Sequence, residues 1–219
     1  MRFWNASQSS IVTRALIALN VVVFLWVLSD PTTNGLGGLR RHEYDLALAA
    51  DFVRAGEWWR IVTAGFLHFG LLHIGMNMIL LYQLGQLLEP ALGRGRFALL
   101  YFSALLGGSV GALLLSPYAL TGGASGAVFG LMAAAAVALQ QRGVNPFRTG
   151  IGTTLLLNLL ITFTIPGISV GGHLGGAITG AVVGWAMLEP RWQRRDPWIT
   201  WAAPVVAIIA AIALVPLIV

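Results

Sequence analysis

Two polar side chains stand out in this apolar sequence, because each lies in a glycine-rich segment at the head of a hydrophobic stretch. The two segments are Gly122-Gly123-Ala124-Ser125-Gly126 and Gly171-Gly172-His173-Leu174-Gly175-Gly176. A polar side chain inside a membrane is costly unless it faces a partner, a cavity or a substrate. Histidine is the general base best suited to neutral pH, and it activates a serine hydroxyl by taking its proton. We therefore interpret Ser125 and His173 as a nucleophile–base pair.

Further donors for such chemistry lie earlier in the chain. Five residues recur at intervals of four, namely His73, Asn77, Leu81, Gly85 and Glu89. This spacing places them on one face of a helix. We expect His73 and Asn77, together with the backbone N–H groups at the helix start at Ser125, to form an oxyanion hole. The alternative is that His73 and Asn77 hold neighbouring helices together. Glu89 is interpreted as structural, and His68, off this face, as a residue of the membrane interface.

The serine motif also has a structural explanation. A serine in a membrane helix often hydrogen-bonds to the carbonyl four residues earlier, and the Gly-Ala-Ser-Gly stretch could serve packing alone. The motif is not the nucleophile elbow of soluble hydrolases, because Ala127 stands where that motif has glycine. No acidic residue lies in the predicted outer halves of the hydrophobic stretches, so a dyad is favoured over a triad. Phe129, one turn after Ser125, is placed to pack on the imidazole.

The composition indicates a membrane protein. Of the 219 residues, 57% are hydrophobic and 10% are charged, against roughly 25% charged in an average soluble domain. All 13 basic residues are arginines and they are scattered, which favours membrane topology over nucleic-acid binding. Cysteine is absent and no His-Glu-x-x-His sequence occurs, so we expect no metal and no cofactor. The first hydrophobic stretch is interpreted as a retained span, not a signal peptide.

Seven stretches are long enough to cross a bilayer, which takes about 20 apolar residues. They are Ile11–Leu28, Leu67–Leu88, Phe97–Leu115, Gly122–Leu139, Thr149–Ile165, Val170–Leu188 and Trp198–Val219. The predicted fold class is an all-α polytopic membrane protein, a helical bundle with a six-span core and a C-terminal seventh span. We expect one domain over residues 1–219, with its core at about 11–190 and the additional helix at about 198–219.

The arginines predict the orientation of the spans. Nine lie on one side of the predicted membrane: Arg2, Arg14, Arg94, Arg96, Arg142, Arg148, Arg191, Arg194 and Arg195. The other four lie in the first loop: Arg40, Arg41, Arg54 and Arg60. The arginine-rich side is expected to be cytoplasmic, which puts the N-terminus inside and the C-terminus outside. Tryptophans are expected at the two interfaces: Trp4, Trp192, Trp198 and Trp201 inside, and Trp58 and Trp59 outside.

One connection, residues 29–66, is much longer than the others. Its polar and tryptophan-containing sequence predicts an element lying on the membrane surface. The alternative is a solvated linker, although 38 residues is long for a loop without structure.

Rows of small residues predict which spans pack together. In span 4 the row is Gly122, Gly126, Gly130, Ala134 and Ala138, and in span 6 it is Gly172, Gly176, Gly180 and Gly184. Small residues at every fourth position let two helices approach closely in lipid. Spans 2, 4 and 6 run the same way, so Ser125, His173, His73 and Asn77 are expected at similar depth, facing one outward pocket.

The motifs together resemble the rhomboid family of intramembrane serine proteases, over nearly the whole chain. The motifs are Trp59-Arg60, His73-x-x-x-Asn77, Gly123-x-Ser125-Gly126 and His173-x-x-Gly176-x-x-x-Gly180. The resemblance implies that Ser125 is the nucleophile, His173 the general base, and His73 and Asn77 part of the oxyanion hole. It also implies transmembrane protein substrates, cut within or near their membrane segment. In the family, span 5 and the loop at residues 166–169 are linked to substrate entry.

The chain departs from the family pattern at two points. Phe129 stands where the family often has tyrosine, which keeps the ring and loses the hydroxyl. A seventh span follows the six-span core, as in some members of the family.

Two other functions remain open at this stage. A rhomboid-like pseudoprotease would bind membrane clients without cleaving them. A transporter would use His73 and His173 as a proton relay, although the polar residues have no matching inner set and no inverted repeat is found.

We expect a multi-pass protein of the plasma membrane, in a bacterial inner membrane, whose partners are transmembrane substrates and lipid and not nucleic acid. The sequence does not indicate the oligomeric state.

Overall fold

A computed structural model describes residues 10–31, 40–190 and 196–219 of the chain. Its α-helices are α1 Ile11–Leu28, α2 Arg41–Leu46, α3 Ala50–Arg54, α4 Arg60–Thr63, α5 Leu71–Leu92, α6 Arg94–Leu115, α7 Ser125–Gln141, α8 Ile151–Thr164, α9 Val170–Met187 and α10 Ile199–Ile218. Within these ranges the only β structure is a single bridge between Leu48 and Thr121. The all-α prediction is confirmed, with a helix of 14 to 22 residues at each of the seven predicted spans.

The long helices differ in how well they suit a membrane. α1, α5, α6 and α10 are long and apolar enough to cross one, whereas α7 and α8 are apolar but shorter. α9 has 18 residues, and its glycines and histidine dilute its apolar character. α6 is the central helix, with 67% of its most apolar window buried, and α10 is peripheral at 17%.

The predicted packing of spans 4 and 6 is present as a contact between α7 and α9. A Cβ atom on Gly176 would collide with the backbone of Gly126, and one on Gly180 with the backbone of Gly130. These contacts require residues without side chains on both helices. Gly122 was expected to start this row, and that expectation is wrong: it precedes α7, and a Cβ there would meet Leu67 instead.

A second glycine contact, between α6 and α9, was not predicted. A Cβ on Gly171 would collide with the carbonyl of Gly111, and one on Gly175 with the carbonyl of Gly107. α9 is therefore wedged between α6 and α7, with glycines on both contact faces. This close packing fixes the height and rotation of α9, and so the position of His173 near its N-terminus.

The described part of the long connection, residues 40–66, is folded against the bundle. Arg60 is buried at 3% exposure, donates hydrogen bonds to the carbonyls of Tyr44 and Ala47, and pairs with Glu57 at 2.6 Å. Burying a charge is favourable only when it is paired and hydrogen-bonded in this way. An ordered element is thus found in place of a solvated linker, and its location at the membrane surface stays a prediction.

Glu89 joins the first and fifth helices. Its carboxylate is 3% exposed and accepts hydrogen bonds from the backbone N–H groups of Val12 and Thr13 and from the Thr13 hydroxyl. N–H groups in the first turn of a helix have no partner within the helix, and a carboxylate is a favourable one. The position of Glu89 fits the structural role predicted for it.

Three helix starts differ from the predicted ones by three residues or more. α6 begins at Arg94 and not at Phe97. α5 begins at Leu71 and not at Leu67, after Gly70 in an extended conformation, and its C-terminus extends to Leu92. α7 begins at Ser125 and not at Gly122, because Gly123 has a φ of +134° that no helix accommodates.

Some residues used for the orientation lie outside the described ranges: Arg2, Trp4, Arg191, Trp192, Arg194 and Arg195. The orientation remains a prediction.

Candidate active site

Ser125 is the first residue of α7, at the end of a glycine loop that leads into the helix. The loop is held by a hydrogen bond of 2.8 Å from the Gly123 N–H to the Ala64 carbonyl. A side chain at position 123 would be strained by the positive φ, and its Cβ would lie 2.8 Å from His73 Nε2 and 3.5 Å from Ser125 Oγ. Glycine at this position therefore lets the His73 ring and the serine hydroxyl share one small space.

The predicted pair is assembled. His173 Nε2 lies 2.8 Å from Ser125 Oγ, within hydrogen-bonding distance and suitable for direct proton transfer. His173 lies in the first turn of α9, where the Ser169 hydroxyl caps the helix by accepting from the Gly172 N–H at 3.1 Å. The histidine is buried, at 8% exposure, whereas Ser125 is half-buried and borders the cavity.

Two further residues contact the imidazole of His173. The Phe129 ring stacks on it, with centroids 4.1 Å apart and planes inclined by 18°, as the sequence predicted. Thr162 Oγ1 of α8 lies 2.6 Å from Nδ1, the ring nitrogen of His173 that does not face Ser125. Sequence reasoning missed Thr162, because a threonine in a hydrophobic helix is usually explained by a hydrogen bond to its own backbone.

His73 and Asn77 lie beside the pair without a hydrogen bond to either member in the described structure. The Asn77 amide donates to the His73 carbonyl at 2.9 Å, a bond within α5 that leaves a second N–H on the same nitrogen. Asn77 is 5% exposed. The structure therefore places His73 close to Gly123 and Ser125, and Asn77 in the wall of the same cavity. No side-chain hydrogen bond from either residue to another helix is found among the described residues.

His68, which we predicted to be a residue of the membrane interface, is buried within the protein at 1% exposure, and its depth in the membrane stays a prediction. It precedes α5, where its Nε2 accepts from the Ala124 N–H at 3.4 Å and its Nδ1 lies 3.3 Å from the Phe66 carbonyl. Burial, and to a lesser extent the neighbouring His73, lower the pKa of His68 to about 3. His68 is thus held neutral and supports the loop that carries Ser125.

The side chains described above, except His68, line one cavity of about 870 Å³. It is bordered by α5, α7, α8, α9 and the loop at residues 165–169, and it includes His73, Asn77, Ser125 and His173. Such a volume is within the range of small-molecule and peptide sites. No group of three or more His, Cys, Asp or Glu side chains suited to a metal ion is found in the described parts of the chain. The side chains that meet at the cavity include a serine hydroxyl and a histidine imidazole within hydrogen-bonding distance.

Comparison with known proteins places the chain in a family. The family model described as "Rhomboid domain" matches residues 55–190. The Rhomboid protease GluP of Bacillus subtilis (strain 168) is 34% identical over 169 residues, which cover 74% of this chain and 32% of that protein. RHOMBOID-like protein 5 of Arabidopsis thaliana is 34% identical over 167 residues, 73% of this chain and 51% of that protein.

A third relative, the Rhomboid protease GlpG of Serratia proteamaculans (strain 568), is 36% identical over 129 residues, 58% of this chain and 42% of that protein. The chain thus matches about a third to a half of the length of these relatives. The family model covers more than half of the 219 residues, including Ser125, His173, His73 and Asn77. The chain therefore belongs to the rhomboid family and is an all-α, multi-pass membrane protein.

Proposed function

We propose that this protein is an intramembrane serine endopeptidase that cleaves transmembrane segments of other membrane proteins with a Ser125–His173 dyad. The observation that carries the proposal is the 2.8 Å contact between Ser125 Oγ and His173 Nε2 at the cavity. A serine that served packing alone would have no need of an imidazole at this distance, stacked on Phe129. Two of the relatives compared above are named as rhomboid proteases.

The reaction follows from the positions of the two side chains. Ser125 Oγ attacks the carbonyl carbon of the substrate peptide bond while His173 Nε2 takes the hydroxyl proton. The imidazolium then gives that proton to the leaving amine, and the C–N bond breaks to leave an ester on Ser125. Water, deprotonated by the same histidine, hydrolyses the ester and restores the serine.

The developing negative charge needs donors beside the serine. The backbone N–H groups in the first turn of α7 have no partner within the helix and stand at its positive end. We propose that the Ser125 N–H, a His73 ring N–H and the remaining Asn77 N–H form the oxyanion hole. His73 Nε2 lies close to Gly123, since a Cβ atom added to that glycine would be only 2.8 Å from it. This position supports the proposed role of His73.

The walls of the cavity indicate the class of substrate. They combine apolar side chains with a few polar groups, which suits an apolar peptide whose backbone is partly unwound. A regular helix has its carbonyls hydrogen-bonded, so a substrate segment with small or helix-breaking residues is the more reactive one. We propose that such segments enter at the side of the cavity bordered by α8 and the loop at residues 165–169.

The proposed setting is a bacterial plasma membrane, with the N-terminus in the cytoplasm and the C-terminus outside. The arginine distribution supports this orientation, and in it the Ser125 end of the bundle faces outward. The proposed partners are the lipid bilayer and transmembrane substrates.

Two measurements test the function. Purified wild type, Ser125→Ala and His173→Ala are compared for labelling by a fluorophosphonate and for cleavage of a model single-span substrate. We expect labelling and cleavage by wild type only, because each variant removes one half of the proton transfer. Labelling that persists in Ser125→Ala would refute the nucleophile assignment.

The pseudoprotease alternative predicts a different result. Wild type would then bind the model substrate, as measured by cross-linking, without producing fragments. The transporter alternative predicts proton-dependent uptake into liposomes that survives the Ser125→Ala substitution. Either result would replace the protease proposal.

A further inference from the structure

α8 lines the cavity with Asn158, Ile161 and Thr162, and of these three only Thr162 is buried. Of its 14 residues, all within the described range, only Gly152 and Thr162 are buried, and Thr162 is 2% exposed. The neighbouring threonine, Thr164, is exposed and bonds to the carbonyls of Leu160 and Ile161. The apolar side chains of α8 that pack against the core, Ile151, Leu155 and Leu159, are only partly buried, so Thr162 is the most deeply buried side chain of the helix. Its polar hydroxyl is buried together with its hydrogen-bond partners.

The hydroxyl of Thr162 has two partners and one proton. Its Oγ1 lies 2.7 Å from the Asn158 carbonyl and 2.6 Å from His173 Nδ1. The carbonyl can only accept, so the hydroxyl donates its proton to Asn158. The same oxygen then accepts from the imidazole, which requires the proton of neutral His173 to be on Nδ1. Nε2 is left with its lone pair directed at Ser125 Oγ, 2.8 Å away.

We infer that Thr162 is a positioning residue that holds His173 in the tautomer able to accept the Ser125 proton. This inference rests on the proposed function and adds to the predicted dyad a third side chain, supplied by a different helix. It provides the orienting acceptor that a carboxylate supplies in a Ser-His-Asp triad, and it does so without burying a charge.

Phe129 and Thr162 constrain the imidazole in different ways. Stacking on Phe129 fixes the plane of the ring but not its rotation within that plane or the placement of its proton. A hydrogen bond at Nδ1 fixes both. Because Phe129 is on α7, Thr162 on α8 and His173 on α9, the base is held by two helices other than its own. A shift of α8 by an ångström or two would break the 2.6 Å contact.

Three variants separate this role from simple packing. Thr162→Val keeps the volume and removes the hydroxyl, and Thr162→Ser keeps the hydroxyl and removes a methyl group. Thr164→Val is the matched control, because it removes a hydroxyl from an exposed position of the same helix that bonds only to its own backbone. Each full-length chain is purified in detergent and its second-order rate of fluorophosphonate labelling is measured.

The expected rate for Thr162→Val is about tenfold below that of wild type, the effect of losing one net hydrogen bond. Thr162→Ser and Thr164→Val are expected within about threefold of wild type on the same scale. If wild type is not labelled at all, the proposed function is refuted, and the inference that rests on it is refuted too. Wild type that is labelled, with Thr162→Val equally fast, would refute the inference and leave the proposed function standing.

A spectroscopic signature provides a second test that does not depend on activity. The chain has four histidines, so the ¹⁵N resonances of the His173 ring can be identified by their loss in His173→Asn. We expect Nδ1 to be protonated in wild type and in Thr164→Val, and the tautomers to be mixed in Thr162→Val. Wild type with its proton on Nε2 would refute the inference. So would a Thr162→Val chain that is less stable but has an unchanged tautomer.

Discussion

At the scale of single residues, the groups around Ser125 differ in how firmly they are held. His173 is fixed at three points, by Ser125 Oγ, by Thr162 Oγ1 and by the Phe129 ring. His73 and Asn77 line the same cavity with donor capacity to spare. In the proposed mechanism the base is thus in place before substrate arrives, whereas the oxyanion donors are completed only when a substrate oxygen enters.

His68 gives a prediction about pH. Its pKa in the fold is lowered to about 3 from the ordinary value of 6.5. As the pH falls below 6.5 the unfolded chain takes up a proton at this residue, while the folded chain stays neutral until about pH 3. The free energy of unfolding should therefore decrease through this window, by at most about 1.4 kcal/mol per pH unit.

The measurement compares the unfolding of wild type and His68→Asn in detergent between pH 7 and pH 4. The variant should be less stable at pH 7, because it loses the hydrogen bond to Ala124, and its stability should fall less steeply with acid. Carboxylates that titrate in this range are common to both chains, so the difference in slope reports on His68. Equal slopes would contradict the prediction.

Some residues of the site could be predicted from the sequence and others could not. Ser125 and His173 could, because each is a polar residue in a glycine-rich segment at the head of an apolar stretch, and Phe129 could because it follows Ser125 by one helical turn. Thr162 could not, since only the rotation and tilt of α8 decide whether a threonine faces lipid or the imidazole. The burial of His68 was not predicted, because its environment depends on where α5 begins, and glycine blurs that boundary.

At the scale of helices, α9 is held by glycine contacts on two sides. The contact with α7 was predictable, because both rows of small residues begin beside a residue of the site. The contact with α6 had a signal too, since Gly107 and Gly111 are four residues apart, but no polar residue drew attention to them. Which residues of two helices touch depends on how each helix is rotated about its axis. Hydropathy does not indicate that rotation when a helix is apolar on all sides.

The contact of α7 with α9 predicts the effect of adding one methyl group. Gly176→Ala would place a Cβ against the carbonyl and Cα of Gly126, and backbone atoms cannot move aside without separating the two helices. We expect a loss of about 1–3 kcal/mol in the free energy of unfolding, typical of overpacking. Labelling of Ser125 should slow as well, because Gly126 follows it directly.

Gly75 is the matched control. It lies in α5 and has nothing within 4 Å of a Cβ, so Gly75→Ala should be neutral or should stabilise the helix by up to about 1 kcal/mol. Both variants are compared with wild type by thermal unfolding in the same detergent. Equal behaviour of Gly176→Ala and Gly75→Ala would show that the α7–α9 contact tolerates a side chain.

At the scale of the whole molecule, the site is built at one end of a bundle. α5, α7 and α9 each begin near it, at Leu71, Ser125 and Val170, so three helix N-termini converge on one cavity. The short helix α8 ends beside it at Thr164. Because α7 separates the loop at residues 116–124 from the loop at residues 142–150, these two loops mark opposite ends of the bundle.

The orientation of the bundle can be tested directly because the chain has no cysteine. Single cysteines are introduced at Tyr118, 68% exposed at the Ser125 end, and at Val144, 39% exposed at the other end. The arginines beside Val144, Arg142 and Arg148, predict that its loop is cytoplasmic. A membrane-impermeant maleimide applied to intact bacteria should therefore label Tyr118→Cys and not Val144→Cys, whereas permeabilised cells should show both. The reverse pattern would invert the proposed orientation and place the dyad near the cytoplasm. Labelling of both in intact cells would mean that α7 does not cross the membrane.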